Sequence, residues 1–345
     1  MAEAPLAVPA APLEGPGALL DVRDLRVEFA AKRPVQAVRG LSYTIAPGEA
    51  LGLVGESGSG KSVSALALLG LLPKRTARVS GTSAAFDGVD LLRAGDRALE
   101  SIRGRRIGIV FQDPLASLNP VLTIGEQMTE PLRRHRGLRG RAARTRSTEL
   151  LELVGIPGAA RRIGDYPHQF SGGMRQRAMI AMALSCDPAL LIADEPTTAL
   201  DVTIQAQILD LLRRLRSELG MALLLITHDL GVVAGITDRI AVMYAGRIVE
   251  TGATRDLLAT PTHPYTAGLL RSLPRLDRPR QRSLTPIEGS PPDLAADLVG
   301  CPFRPRCPRA LAVCAVEDPP LAPIGPGRSV ACHNPVPQVE SEAVA

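Results

Sequence analysis

A glycine-rich segment near the start of the chain has the residue types and spacing that bind phosphate. It matches G-x-x-x-x-G-K-[ST] between an apolar run, Leu51–Val54, and a helical run, Val63–Leu72. Glycines let successive N–H groups point at an anion, and the helix start adds partial positive charge. Lys61 is expected to reach the β- and γ-phosphates, and the Ser62 hydroxyl to bind Mg²⁺. A surface turn with a chance lysine is the alternative, but the flanking strand and helix favour a nucleoside triphosphate site at Gly55, Glu56, Ser57, Gly58, Ser59, Gly60, Lys61, Ser62 and Val63.

Two adjacent carboxylates end a second apolar run. Ala189–Ala193 has the short, apolar character of a buried strand, and Asp194 and Glu195 follow it directly. Asp194 is expected to hold the Mg²⁺ shell, directly or through water, and Glu195 to act as general base toward the attacking water. Acidic pairs also end strands without any chemistry, but the phosphate loop in the same chain favours the catalytic interpretation.

The elements that must position these residues alternate between strands and helices. Two runs near the start of the chain predict antiparallel strands, and three short apolar runs predict buried parallel strands. Val202–Leu219 has apolar residues at helical spacing and ends at Gly220, a natural helix C-cap. The pattern predicts an α/β fold. The antiparallel strands are predicted at Leu19–Phe29 and Gly40–Ile45, and the parallel ones at Ile107–Phe111, Ala189–Ala193 and Ala222–Thr227.

Composition excludes several classes of protein. No apolar run approaches the roughly 18 residues that cross a bilayer, and the acidic, Ala- and Pro-rich start is unlike a secretory signal. The net charge is +5, and the basic runs Arg133–Arg146 and Arg271–Arg282 have no interleaved aromatic residues that could stack on bases. We therefore expect no nucleic-acid partner. Residues 1–18 are predicted to be a disordered leader and residues 335–345 a disordered tail.

A further segment carries a family resemblance. Phe170–Arg177 contains Ser171, Gly172, Gly173 and Met174, and it resembles the signature motif of ATP-binding cassette (ABC) ATPases, commonly Leu-Ser-Gly-Gly-Gln. Three other segments match this family in the expected order. They are Gln112 as the Q-loop glutamine, Thr198–Asp201 as the D-loop, and His228 as the switch histidine.

The resemblance covers about residues 19–252 and implies a fold and further site residues. The fold is a P-loop NTPase cassette over 19–255, with a RecA-like core, an antiparallel β subdomain and an inserted helical subdomain at about 114–185. Gln112 would join Ser62 and Asp194 around Mg²⁺, and His228 would sense the γ-phosphate. ATP would be shared with a second cassette, which Ser171, Gly172, Gly173, Met174 and Asp201 would contact. Phe29 would stack on adenine, with Val35 and Val38 as aliphatic alternatives.

Three strings resemble the peptide-importer branch of this family, which takes up dipeptides, oligopeptides and nickel chelates. They are Phe111–Gln127, the signature ending in Met174, and Pro261–Thr266; Met174 is typical of the first of two ATPase subunits. The implied partners are a second homologous ATPase, two membrane permease subunits and, indirectly, an extracytoplasmic peptide-binding protein. The chain would act at the cytoplasmic face of the membrane. Import of another solute, such as a nickel chelate or glutathione, and a soluble non-transport ABC ATPase are the alternatives.

Four of the five cysteines lie in a C-terminal extension predicted at 256–334. Cys301, Cys307, Cys314 and Cys332 have the spacing C-x5-C-x6-C-x17-C. Four thiolates suit either Zn²⁺ or a [4Fe–4S] cluster, and the absence of a tight C-x2-C pair favours the cluster, as does the resemblance to importers that carry one. Four unligated thiols are the alternative. Cys186 is expected to be a small buried apolar residue.

Overall fold

The computed structural model describes residues 17–198, 200–272 and 286–337. The predicted leader and tail lie almost entirely outside these ranges. Within them the strands are β1 (Leu20–Phe29), β2 (Val35–Ile45), β3 (Ala50–Val54), β4 (Ala77–Ser80), β5 (Ser83–Phe86), β6 (Val89–Asp90), β7 (Ile107–Val110), β8 (Leu190–Asp194), β9 (Ala222–Thr227), β10 (Arg239–Tyr244), β11 (Arg247–Ala253), β12 (Ala322–Gly325) and β13 (Arg328–Val330). The helices are α1 (Lys61–Leu68), α2 (Asp96–Ile102), α3 (Pro114–Ser117), α4 (Ile124–Arg136), α5 (Gly140–Leu153), α6 (Ala159–Arg162), α7 (Gly172–Ala183), α8 (Val202–Leu219), α9 (Leu230–Val233), α10 (Thr254–Ala259) and α11 (Pro264–Arg271).

The strands form two sheets. The first has the order β2-β1-β5-β6, with β4 also on β1, and its strands pair antiparallel. The second has the order β12-β13-β11-β10-β3-β9-β8-β7, and its strands from β10 to β7 are parallel. Every residue of β3, β8 and β9 is buried, as expected for parallel strands covered on both faces. The predicted strands and the α/β class are confirmed, although β2 begins at Val35 and not at the predicted Gly40.

The helices depart from the sequence prediction mainly at their ends. The helix after the phosphate loop begins at Lys61 rather than Val63. It ends at Leu68 rather than Leu72, because Gly70 adopts a left-handed conformation. The helix that follows the signature motif, α7, begins at Gly172, since Ser171 caps it. The helix Val202–Leu219 and its left-handed C-cap Gly220 agree with the prediction.

The helical region between β7 and β8 consists of α3 to α7, and α4 to α7 contribute buried residues to the core beside the parallel strands. Cys186 is 3 % exposed at its end, as expected of a small apolar residue. After β11 the chain returns to the same sheet, because β13 pairs with β11 and β12 pairs with β13. None of the helices in the described ranges has the length and apolar character that a bilayer crossing requires.

Candidate functional site

The phosphate loop turns from the end of β3 into the start of α1, and close packing requires its glycines. A Cβ at Gly55 would lie 2.1 Å from the Met243 carbonyl oxygen. Gly60 has a φ of +99°, and a Cβ there would lie 2.2 Å from the Ala37 carbonyl oxygen. The loop is therefore held tightly against its neighbours, in a backbone conformation that only glycine adopts without strain.

Lys61 is buried in this loop and is held by backbone oxygens. Its Nζ donates to the carbonyl oxygens of Gly55 at 2.7 Å and Glu56 at 3.0 Å. Burial lowers the pKa of the ammonium, and the negative charges of Glu195, Asp194 and Glu56 oppose that change. The lysine is thus poised at the loop, where a phosphate oxygen could replace its carbonyl partners.

Asp194 meets the phosphate loop at the end of β8. Ser62 Oγ donates to its carboxylate oxygen Oδ1 at 2.8 Å, and the Asp194 side chain is buried. Burial raises the pKa of Asp194, while the Ser62 hydrogen bond lowers it. Hydroxyl and carboxylate oxygens are hard ligands of the kind that Mg²⁺ prefers, so the pair could hold one side of its shell.

Glu195 is the centre of a group of polar side chains at the mouth of the cleft. Its Oε2 accepts from Gln112 Nε2 at 3.0 Å and from Thr198 Oγ1 at 2.8 Å. Its Oε1 lies 3.3 Å from His228 Nδ1, and the residue has a φ of +45°. A positive φ is unusual for a residue other than glycine. The three side-chain partners hold the Glu195 carboxylate in one direction, toward the cleft.

The cleft holds part of the predicted site and leaves the rest outside. It encloses about 470 Å³ and is lined by Glu56, Ser57, Gly58, Gly60, Lys61, Ser62, Val63, Gln112, Glu195 and His228. The signature residues lie elsewhere, at the start of α7, where Ser171 Oγ accepts from the Met174 N–H at 3.4 Å. Asp201 caps α8, and Phe29 ends β1 beside Val35. The signature residues, Asp201 and Phe29 are therefore not among the residues that line this cleft.

Comparison with known proteins identifies the family of this chain. The pattern described as "ABC transporter" matches residues 38–198, and the pattern described as "Oligopeptide/dipeptide transporter, C-terminal region" matches residues 249–314. The oligopeptide transport ATP-binding protein OppD of Salmonella typhimurium is 53 % identical over 92 % of this chain and 94 % of its own length. The chain belongs to the ABC transporter family. The resemblance inferred from the motifs is thereby confirmed.

Other relatives agree with that assignment to ABC transporters. The dipeptide transport ATP-binding protein DppD of Bacillus subtilis is 52 % identical over 86 % of this chain and 88 % of its own length. The dimeric ATP-binding cassette MJ0796, solved with ADP and Pi, is 29 % identical with a TM-score of 0.61, covering 68 % of this chain and 99 % of that one. The fold is therefore that of an ABC cassette.

The four cysteines of the extension are neighbours but do not form a recognisable metal site. The Cys301 N–H donates to the Cys314 carbonyl at 2.9 Å. Burial raises the pKa of Cys332 to about 11, and the nearby thiols of Cys307, Cys301 and Cys314 contribute in the same direction. Among the described residues, no group of three or more His, Cys, Asp or Glu side chains could hold a metal ion. The predicted Zn²⁺ or [4Fe–4S] site is thus not supported by this arrangement of side chains.

Sequence reasoning missed three residues that contact the site. Thr198 donates to Glu195, as described, although it was recognised only as part of the D-loop. The hydroxyl of Tyr265 accepts from the Glu56 N–H at 2.9 Å, and Arg306 forms two hydrogen bonds with the Glu56 carboxylate. Tyr265 lies in the family-like string Pro261–Thr266, which was the one sequence signal for its importance.

Proposed function

We propose that this chain is the ATP-hydrolysing subunit of a transporter that imports di- and oligopeptides across the cytoplasmic membrane. The observation that carries the proposal is a cleft where the glycine-rich loop, Lys61 and Glu195 meet. The chain that forms it is about half identical to oligopeptide and dipeptide transport ATP-binding proteins over most of its length. Fold alone would not carry it, because one fold hosts many functions.

The geometry supports a role for each residue in ATP hydrolysis. Backbone N–H groups of the phosphate loop and Lys61 would bind the β- and γ-phosphates. Mg²⁺, when bound, would neutralise phosphate charge, and Ser62, Asp194 and Gln112 would hold it. Glu195 would take a proton from the attacking water. Hydrogen bonds from Gln112 and Thr198 would orient the Glu195 carboxylate for this transfer. His228 lies close enough to Glu195 to contact the same water or the γ-phosphate.

The position of the signature residues supports pairing with a second ATPase. The N-terminal end of α7 is not part of this chain's own cleft, and it consists of Ser171, Gly172, Gly173 and Met174. The N–H groups at that helix end would bind the γ-phosphate in a partner's cleft, with Asp201 nearby at the start of α8. The other proposed partners are two permease subunits and, indirectly, an extracytoplasmic peptide-binding protein, with the ATPases at the cytoplasmic face of the membrane.

Uptake measurements test the proposed substrate class. Cells lacking the gene for this chain are expected to lose uptake of labelled di- or oligopeptides, and the restored chain should recover it. A panel that also contains a nickel chelate and glutathione separates the alternative solutes. Normal uptake of every peptide in the deleted strain, with loss of a different solute, would overturn the peptide assignment.

We further propose that the four cysteines hold a [4Fe–4S] cluster that stabilises the small extension. Hydrogen bonds join the segments that carry them, since the Cys301 N–H donates to the Cys314 carbonyl oxygen and the Asn334 side chain donates to the Arg309 carbonyl oxygen at 2.8 Å. The spacing C-x5-C-x6-C-x17-C lacks the tight C-x2-C pair that is common in zinc sites, which favours a cluster over Zn²⁺.

Anaerobic purification tests the cluster. We expect brown protein with broad absorbance near roughly 400 nm and about four irons per chain. Replacing Cys301 and Cys314 with serine should remove the iron, whereas Cys186→Ser, at a buried position outside the extension, should keep it. Stoichiometric zinc in colourless protein would contradict the cluster, and metal-free protein would contradict the site.

A further inference from the structure

Glu56, the second residue of the phosphate loop, is held by the C-terminal extension from two directions. Its N–H donates to the hydroxyl of Tyr265 at 2.9 Å. Its carboxylate accepts from both terminal nitrogens of Arg306, at 2.6 Å and 2.9 Å. The extension therefore contacts the loop itself and not merely the outside of the cassette.

The same residue also contacts the lysine of the loop. The Glu56 carbonyl oxygen accepts from Lys61 Nζ at 3.0 Å, and Glu56 lines the nucleotide cleft. Every polar group of Glu56 thus has a partner, with Lys61 inside the loop and Tyr265 and Arg306 in the C-terminal part of the chain. A displacement of Glu56 would be passed directly to Lys61.

Contacts outside the phosphate loop hold the Arg306 side chain in place. Its side chain is 4 % exposed and donates to the carbonyl oxygens of Glu288 at 3.1 Å and Ile287 at 3.4 Å. The guanidinium also lies over the ring of Tyr244, 5.9 Å from its centroid. A bidentate arginine with these supports presents its charge to Glu56 in one geometry.

The turn that carries Arg306 is itself packed against the cassette. Phe303, three residues earlier, is 2 % exposed, and its ring centroid lies 5.3 Å from that of Tyr244 and 5.4 Å from that of Tyr265. This turn lies between Cys301 and Cys307. The conformation of the cysteine-containing segment is therefore linked to that of the phosphate loop.

Charge gives this contact a function beyond packing. ATP brings several negative charges into a cleft that Glu56 lines, and an unpaired carboxylate there would repel them. We propose that Arg306 is a positioning residue for nucleotide binding, which neutralises Glu56 and fixes the loop in the conformation that receives phosphate. The inference rests on the proposed binding of ATP by this chain.

Calorimetric titration of the full-length chain with ATP tests the proposal. Arg306→Met should raise the Kd for ATP about five- to tenfold, because it leaves the Glu56 carboxylate uncompensated. The double variant Glu56→Gln with Arg306→Met removes both charges, and its Kd should return to within about twofold of the unchanged chain. Raising the salt concentration should narrow the difference between Arg306→Met and the unchanged chain, since salt screens the repulsion.

Arg247→Met is the matched control. Arg247 pairs with Asp318 and donates to the Pro319 carbonyl at 3.1 Å, so it also attaches the extension to the cassette but at another place. We expect a lower melting temperature and an unchanged Kd. If Arg306→Met is too unstable, Arg306→Gln keeps hydrogen-bond donors without charge and should raise the Kd similarly.

Two outcomes would overturn the inference. One is a Kd for ATP in the Arg306 variants equal to that of Arg247→Met. The other is a Kd for ATP in the double variant as high as that of Arg306→Met alone. If the unchanged chain itself failed to bind ATP, the proposed function would fall instead.

Discussion

Replacing Glu195 with glutamine should remove most ATP hydrolysis by the assembled transporter while leaving ATP binding intact. Loss of a general base typically costs a factor of about 10²–10⁴ in rate. Glutamine has nearly the same shape, and its amide oxygen can still accept from Thr198 Oγ1, so the cleft should keep its geometry. What it cannot do is take the proton of the attacking water.

Steady-state hydrolysis and ATP titration, measured on the same preparation, separate the two effects. Glu100→Gln is the matched control, because Glu100 forms an exposed ion pair with Arg134 on the surface. That variant should hydrolyse ATP at the normal rate, since exposed pairs contribute little. Near-normal turnover by Glu195→Gln would show that another group is the base.

Replacing Lys61 with alanine should instead weaken the binding of ATP itself. A hydrogen bond to a charged group contributes roughly 1.5–3 kcal/mol, so losing the contact to phosphate should raise the Kd about 10- to 150-fold. The change also leaves the Gly55 and Glu56 carbonyl oxygens without their buried partner, which adds a cost in loop order. Both effects act in the same direction.

Lys74→Ala provides the comparison, because Lys74 pairs with Asp96 at an exposed position outside the cleft. Titration with ATP should give an unchanged Kd for this variant and a much weaker one for Lys61→Ala. Thermal melting without nucleotide checks that both variants are folded. If Lys61→Ala bound ATP as tightly as Lys74→Ala, the prediction that Lys61 contacts the phosphates would be wrong.

Local patterns predicted the fold well where one physical cause dominates. The helix Val202–Leu219 was correct at both ends because Asp201 and Gly220 cap it. The helix after the phosphate loop was predicted too long, because its apolar run continues past Gly70, whose left-handed conformation ends the helix. Apolar periodicity indicates which face is buried, but it does not say where a turn begins.

The candidate site divides in the same way. Gln112, Glu195 and His228 follow strands of one sheet, and the structure brings them together at the cleft. The pairing of Glu56 with Arg306 joins residues 250 positions apart, and no spacing rule connects them. Such a contact depends on how the extension folds back, which is a tertiary property that local sequence does not encode.

The strands that the extension adds to the main sheet also affect the tendency of the protein to aggregate. An open strand edge is a template for pairing with other chains. Here β13 pairs with β11 at Glu250 and Thr251, and the outermost strand, β12, has only four residues, including Pro323, which has no N–H to offer. These two short strands thus leave a shorter open edge at this end of the sheet than β11 would, which disfavours pairing with other chains.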